Sequence, residues 1–309
     1  MDLTPIKPDD YPRLKKFFTR QPYKLSSYSL ASIIAWSNCI FEAQYEIVDD
    51  VLIVANECRC RPQDRYLLLP ISPDKRFRPA ELRDLAMRLG FTRYCFVPDD
   101  YVKEYREEVK TWFDIELQPG FAEYLYFTED LTQLKGNRYV GKRNRINRFV
   151  REYVEPGRVK IERICPENVP ACLAFLEEWC SYFPCTPDQN ESLFCEKQAA
   201  IASLTYIELF DLNGILIRID DSVRAFAIGS HLSSEVGVLS FEKALAGVKG
   251  LYQFLDRECA SRLFAGYIYI NKESDMGLPG LAQSKESYHP VMKVNSYCLH
   301  LRQNTKRTG

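Results

Sequence analysis

The pattern of apolar and polar positions divides the chain into two runs of elements in the same order. Residues 9–41 carry helical spacing, with Leu14, Phe17 and Phe18 on one side and Asp9 or Asp10 as a cap; 28–36 predicts a second helix. Apolar runs at 45–48 and 51–55 flank Asp49-Asp50 and predict a hairpin, without the favoured Asn-Gly or Asp-Gly pair. A strand follows at 66–70. Pro79-Ala80-Glu81 then opens a helix whose Leu82, Leu85, Ala86 and Leu89 share one face, and Gly90 stands where a C-cap belongs. A strand at 91–97, a helix from Asp99 or Asp100 to about Phe113, and a final strand at 124–127 complete an α-α-β-β-β-α-β-α-β order.

The second half repeats that order. A strand is expected at 159–164, and a helix capped by Asn168 places Val169, Cys172, Leu173, Leu176, Trp179, Cys180 and Phe183 at helical spacing. Another helix covers about 191–202. Runs at 215–219 and 223–228 flank a second acidic pair, Asp220-Asp221. From Val238 to Pro290 the chain reads strand, loop, helix, strand, loop, helix, and 291–301 closes the sheet. Gly90 and Gly266 each stand between a helix and the next strand. The duplication is one of order and not of sequence, an order that convergent α/β chains also reach.

Composition narrows the class. The chain has 309 residues, 46% apolar and 27% charged, which predicts a globular protein of two domains. A net charge of −1 gives no general attraction to nucleic acid or anionic lipid, so any such contact has to be local. The start MDLTPIKPDD lacks the basic and apolar parts of a signal peptide, and no apolar run reaches membrane-spanning length. A cytoplasmic protein without membrane insertion is expected. The 11 cysteines are scattered singly, as at Cys95, Cys172, Cys180 and Cys259, which argues against a disulfide framework. Cys58 and Cys60 lack a partner pair at zinc spacing, and the histidines His231, His289 and His300 are far apart, so no metal is expected.

Two stretches break the even charge. Between Lys135 and Arg151 there is no acid, while Lys135, Arg138, Lys142, Arg143, Arg145, Arg148 and Arg151 are all basic. On a helix, Ile146, Phe149, Val150 and Tyr153 fall on one face, so one side can pack while the other meets a phosphate-bearing partner. The alternative is a solvated connector whose charges pair with acids of both halves. The second stretch is the loop Ala246-Gly247-Val248-Lys249-Gly250: a helix starting near Gly250 points backbone N–H groups at whatever binds there, although two glycines three apart also make an ordinary turn.

The connector residues Lys142-Arg143-Asn144-Arg145, the strand end Phe241-Glu242-Lys243, Gly250-Leu251-Tyr252-Gln253, and Asn271-Lys272-Glu273 with Asp275, Gly277, Gly280-Leu281, Lys285, Tyr288 and Pro290 form a set. Together they resemble the soluble bacterial family related to the C-terminal domain of phosphatidylglycerol lysyltransferase, over about residues 28–301. The resemblance implies an α/β (α+β) chain of two tandem GNAT-like (acyl-CoA N-acyltransferase) domains, each a mixed, mostly antiparallel sheet flanked by helices. It also implies kinship with Fem-type aminoacyltransferases, which take the aminoacyl group from charged tRNA. The expected layout is an N-terminal domain over 1–130, a basic connector helix over 131–154 and a C-terminal domain with the active cleft over 155–309. The sequence departs from the lysyltransferase in having no membrane-spanning region, which counts against lipid as acceptor. It departs from simple acetyltransferases in a loop with fewer glycines and cations.

Acyl transfer needs a base for the acceptor, donors for the developing oxyanion and an acid for the leaving group. Glu242, at a strand end, suits the base; Lys285 suits an oxyanion or a donor phosphate; Asp275 and Asn271 suit orientation of the acceptor; Tyr288 suits the general acid. Lys142, Arg143, Asn144, Lys249, Gly250 and Asn271 are the expected donor-binding residues. Each also has an ordinary reading as a loop cap, a surface pair or a packed turn. Two functions stand: an acyltransferase using acyl-CoA or aminoacyl-tRNA, with a small-molecule or lipid-headgroup acceptor, or a non-catalytic GNAT-like module that binds a nucleotide, an acyl ligand or a protein partner. A tRNA-binding protein without chemistry would need a broader basic surface than this composition allows.

Overall fold

The computed structural model describes residues 3–302 apart from 38, 39, 60 and 184. Cys60, and with it the Cys58/Cys60 spacing, lies outside the described residues. The two mixed, mostly antiparallel sheets flanked by helices expected of a tandem GNAT-like chain are present, each of seven strands.

The first sheet begins with β1 (Thr4–Pro5), β2 (Phe41–Val48), β3 (Val51–Cys58), β4 (Arg61–Leu67) and β5 (Arg93–Pro98) as successive neighbours. The hairpin of β2 and β3 turns at Asp49 and Asp50, whose φ angles of 49° and 58° are both left-handed. Two positive φ values match the right-handed twist of the flanking strands, and aspartate tolerates them better than a β-branched residue would. The helix Pro79–Leu89 ends on Gly90 with φ 71°, as its sequence predicts. The helix expected from Asp99 to Phe113 is broken at Tyr105 into Asp99–Glu104 and Arg106–Trp112. A strand that the apolar pattern does not announce, β6 (Phe113–Leu117), follows at once.

The last strand of each half crosses to the other sheet. β7 (Glu123–Phe127), expected to finish the first half, lies inside the second sheet; the far strand β14 (Ser296–Leu301) lies inside the first, between β5 and β6. The burial pattern gives the physical reason: four successive residues of β7, from Glu123 to Tyr126, are covered on both faces, as a strand within a sheet requires. The segment expected to close the second sheet divides at Asn295 into β13 (Met292–Val294), on that sheet, and β14, on the other. A disulfide joins Cys95 of β5 to Cys298 of β14 across this ladder, their Cα atoms 4.2 Å apart. Among the described residues Cys95 and Cys298, two of the singly scattered cysteines, are joined, because the exchange brings residues 203 apart in sequence onto adjacent strands.

The second sheet continues from β8 (Val159–Arg163) through β9 (Asn213–Ile219), β10 (Ser222–His231), β11 (Val236–Ala244) and β12 (Tyr269–Ser274) to β7 and β13. Asp220 and Asp221 turn the hairpin of β9 and β10 with φ of 51° and 63°, the same solution as in the first half. Asn168 precedes the helix Val169–Cys180 but holds the incoming loop, accepting from Cys165 N and donating to Arg163 O.

One core lies between the sheets and draws Leu52, Ile53, Leu125, Phe226 and Val294 together. A second lies behind the second sheet, where the helix Leu251–Arg262 and the connector helix Val140–Phe149 pack. The connector buries Ile146 and Phe149, the face its spacing predicts. It meets the N-terminus of the helix Leu251–Arg262 closely enough that a Cβ at Gly250 would stand 2.2 Å from the Arg145 carbonyl oxygen.

Gly250 also has φ 88°, so Gly250→Ala meets both a left-handed backbone and a fixed neighbour. It is expected to cost about 3 kcal/mol or more in urea unfolding.

Candidate functional site

β11 and β12 run parallel but pair only over Val236–Val238 against Tyr269–Asn271. Beyond those residues β11 continues to Ala244 and β12 to Ser274 without pairing to each other. An opening between two strands in a sheet interior has to be filled, and here charged side chains fill it.

Lys272 is the centre. Its ammonium meets Glu242 Oε2 at 3.0 Å and also the Asp256 carboxylate, with all three side chains largely buried. One cation therefore faces two carboxylates. Burial first, and the neighbouring Asp256 second, push Glu242 up to about 7, against which Lys272 pulls. Lys272 itself is held well above the usual lysine range, because attraction from Asp256 and Glu242 outweighs its burial. Tyr288, 4% exposed, lies beside this group; burial, with Asp256 as the next cause, raises its phenol well above the usual value. Glu242 Oε1 and the Tyr288 hydroxyl are both buried and make no hydrogen bond of good geometry with a described residue, while the Asp256 carboxylate lies close to both. Two such atoms beside one opening mark a place where a further polar group fits.

Lys142 enters from the connector helix. Its ammonium donates to Ser287 Oγ at 2.7 Å and stands 3.6 Å from the centre of the Tyr288 ring. Burial lowers its pKa to about 8. Lys142 is thus part of the buried cluster and not a surface cation.

On the other side of β12, the buried Glu123 and Asn271 and the half-buried Glu273 and Lys285 form a second group. Asn271 is fully buried; its Nδ2 donates to Lys24 O at 2.8 Å and to Glu123, and its Oδ1 accepts from Glu273 N at 2.7 Å. Lys285 donates to the carbonyls of Lys272, Glu273 and Ser274 at 2.5, 3.0 and 2.6 Å. With three donors and three carbonyls, the ammonium is spent on the backbone and has no proton left for an oxyanion. Burial lowers Lys285 to about 8 and raises Glu273 to about 8, the latter also repelled by Glu123. Glu273 takes φ 57°, a turn of the strand that Lys285 secures.

The remaining expected residues scatter. Asp275 accepts from the Tyr124 hydroxyl at 2.5 Å and from Gly277 N at 2.8 Å, a loop-capping position. Arg143 donates to Leu134 O and to Gly136 O at 2.7 Å, closing the helix Thr128–Gln133. Asn144, Arg145 and Lys249 are exposed. Glu242, Lys142 and Tyr288 are therefore brought together, while Arg143, Asp275, Asn271 and Lys285 are engaged by the protein's own groups. Lys272, which stands in the motif that carries the resemblance but was given no role there, and Asp256, which sequence reasoning did not single out, complete the cluster. Asp256 has a signal, being an acid among the buried Leu255, Cys259 and Ala260 of its helix. Among the described residues no group of His, Cys, Asp or Glu is arranged to hold a metal, and no helix is long and apolar enough to cross a membrane.

Comparison with known proteins places this geometry in a family. The family model described as phosphatidylglycerol lysyltransferase, C-terminal, matches residues 44–300. A conserved protein of unknown function from Bacteroides thetaiotaomicron has a crystal structure that superposes with a TM-score of 0.87 at 26% identity, covering 98% of this chain and 100% of that one. The C-terminal domain of a protein described as a lysylphosphatidylglycerol synthetase, from Agrobacterium fabrum, shares the fold with a TM-score of 0.64 at 14% identity, over 96% and 92% of the two chains. An uncharacterized protein of Mycoplasmoides gallisepticum is 23% identical over 202 residues, which span 64% of this chain and 63% of that protein's length. The match over residues 44–300 is long enough to decide the matter: the chain belongs to the family of the phosphatidylglycerol lysyltransferase C-terminal domain.

Proposed function

We propose that the chain is an acyltransferase whose reaction centre is the opening between β11 and β12, and that it moves an aminoacyl group from charged tRNA to an amine or hydroxyl acceptor. Acyl-CoA is the alternative donor. The family's name favours a lysyl group as cargo and a lipid headgroup as acceptor, and charged tRNA as donor would place the activity in the cytoplasm. The observation that carries the reading is the pair of buried polar atoms without a well-formed hydrogen bond, Glu242 Oε1 and the Tyr288 hydroxyl, beside an opening in the sheet.

In the proposed step the acceptor nitrogen or oxygen bonds to the donor carbonyl carbon while the C–O bond to the tRNA ribose, or the C–S bond to coenzyme A, breaks. The acceptor's proton passes to Glu242, whose value near 7 suits a base at neutral pH. Lys272 and Asp256 fix the carboxyl in place. Tyr288 supplies the proton to the leaving oxygen or sulfur. Backbone amides on the edge of β11 beyond Val238, which β12 does not engage, suit the developing oxyanion. The helix Leu251–Arg262, with Arg145 and Lys249 exposed at its start, suits a donor phosphate.

A second reading rests on Lys272 and Lys285, both satisfied internally: the cluster would then only plug the sheet of a non-catalytic module.

Transfer kinetics and donor binding separate the two. Single-turnover transfer from lysyl-tRNA, or from acetyl-coenzyme A, to phosphatidylglycerol and to simple amines is expected to fall about 100-fold or more in Glu242→Gln. A chain inactive with every donor and acceptor supports the module. The wild-type rate should rise with pH through about 7, as Glu242 loses its proton. Stability should move the other way: a carboxyl whose folded pKa lies above the unfolded 4.5 holds its proton more tightly when folded, so this contribution is present below pH 4.5 and lost as pH rises through 7. Arg145→Ala with Lys249→Ala is expected to weaken donor binding about tenfold with an unchanged melting temperature, because both side chains are exposed. Lys142→Ala, in contrast, should lower the melting temperature, because Lys142 is packed on Tyr288.

A further inference from the structure

Tyr288 belongs to no strand of the sheet it serves. It stands on the short segment between the helix Pro279–Glu286 and β13, and the connector holds that segment in place. The hydroxyl of the buried Tyr139, just before the connector helix, donates to Tyr288 O at 3.0 Å, and the Tyr139 ring meets the His289 ring edge-on at 5.4 Å. Lys142 donates to Ser287 Oγ at 2.7 Å and lies 3.6 Å from the centre of the Tyr288 ring. Tyr139 and Lys142 are three residues apart at the start of one helix, so they reach the same side and together grip Ser287, Tyr288 and His289.

Lys142 is 9% exposed, and an ammonium so deeply placed needs a partner. Burial lowers its pKa to about 8; Asp256 of the helix Leu251–Arg262 and Glu242 of β11 oppose that, while Arg145 of its own helix and Lys272 of β12 add to it. Both carboxylates are already bonded to Lys272. The groups in contact with Lys142 are neutral: Ser287 Oγ, which gives its own proton to Ser284 O at 2.5 Å, and the ring of Tyr288. The positive charge is therefore directed at the face of an aromatic ring, which attracts a cation.

Packing does not require a charge at this position, since an apolar side chain would cover the ring without the cost of burying an ammonium. Proton transfer does. Burial, and Asp256 beside the hydroxyl, raise the Tyr288 phenol well above its usual value, which makes it a reluctant donor. When its O–H bond breaks and the leaving oxygen or sulfur takes the proton, a phenolate is left among carboxylates. A cation on the ring stabilises that phenolate more than the phenol. The phenolate then regains a proton from Glu242, which had taken one from the acceptor, and both groups end as they began.

We infer that Lys142 is a positioning residue for the transfer: its ammonium holds the Tyr288 ring beside Glu242 and Asp256 and stabilises the phenolate that forms when Tyr288 gives up its proton. The inference rests on the transferase reading above and deepens it. It also moves Lys142 from donor binding, the role its motif implies, to the reaction centre.

Two readouts test it. Competitive labelling of the full chain with acetic anhydride across pH, read by peptide mass spectrometry, follows Lys142 without any substrate. A half-point near 8 is expected in the wild type, kept within about 0.3 by Tyr288→Phe, which retains the ring, and lowered by about 0.5 or more by Tyr288→Leu, which does not. Transfer kinetics then use Lys142→Met, which keeps an apolar stem without the charge. Its kcat is expected to fall about tenfold with the donor KM and the melting temperature unchanged, and Lys142→Arg should recover most of the loss. The wild-type rate, after rising through about 7 with Glu242, should fall through about 8 as Lys142 loses its proton, and that fall should be missing from Lys142→Met. Labelling in the ordinary lysine range, or identical in Tyr288→Phe and Tyr288→Leu, overturns the inference, because the ammonium then does not sit on the ring. So does a Lys142→Met chain with unchanged kcat, or one in which only the donor KM rises, which would return the lysine to donor binding; each of these leaves the transferase reading standing. A wild type that transfers from no donor, with the labelling as expected, overturns that reading and the positioning role with it, and leaves the lysine and the ring as packing.

Discussion

The buried carboxyl of Glu123 is the constraint on which the arrangement of the chain turns. It lies at the start of β7 and accepts from Ser26 N at 2.8 Å, Ser26 Oγ at 2.6 Å and Asn271 Nδ2. Those donors come from the N-terminal segment and from β12, so one side chain fastens three parts of the chain that are distant in sequence. Burial raises its pKa, with the hydrogen bonds from Ser26 and Asn271 opposing that rise. Leaving such a group without its donors is costly, and only the crossed position of β7 supplies them. The exchange of β7 and β14 and the placement of this carboxyl are therefore one constraint.

The cluster across β12 follows from it. Once Asn271 is fixed by Glu123 and Lys24, the next residue of the strand points to the opposite face, and Lys272 is delivered to Glu242 and Asp256. Lys285 then grips the three carbonyls where the strand turns at Glu273. Three lysines at this end of the sheet serve three different purposes: Lys272 balances carboxylates, Lys285 holds backbone, and Lys142 packs on an aromatic ring. Residue type alone does not separate these roles. Among the described residues, the Glu242 and Tyr288 side leaves polar atoms without a well-formed hydrogen bond, which is why the chemistry is proposed there and not at Lys285.

Local signals were legible where the physics is local. The acidic pairs Asp49-Asp50 and Asp220-Asp221 turn hairpins, Gly90 ends its helix in the left-handed conformation, and the connector buries the face its spacing selects. Each depends on a few neighbouring residues whose backbone preferences or periodicity decide the outcome. Glu242 stands out at the end of an apolar run, Lys142 in the basic connector and Tyr288 in the closing motif of the resemblance, and the structure brings these three side chains together. The loop glycine Gly250 has a packing reason that the sequence does not show: a neighbouring helix backbone takes the space its missing side chain leaves.

By itself, then, the sequence determined the elements, the doubled order of the two halves and the family, because periodicity, turn residues and short motifs are properties of adjacent positions. Tertiary structure alone decided which sheet β7 and β14 join, that Cys95 meets Cys298, that Lys272 and Asp256 belong beside Glu242, and that Arg143, Asn271 and Lys285 are spent on internal groups. The physical reason is that strand pairing and charge pairing are contests among distant partners. A strand shows that it is buried on two faces without naming its neighbours, and a buried charge shows that it needs a partner without saying where in the chain that partner lies.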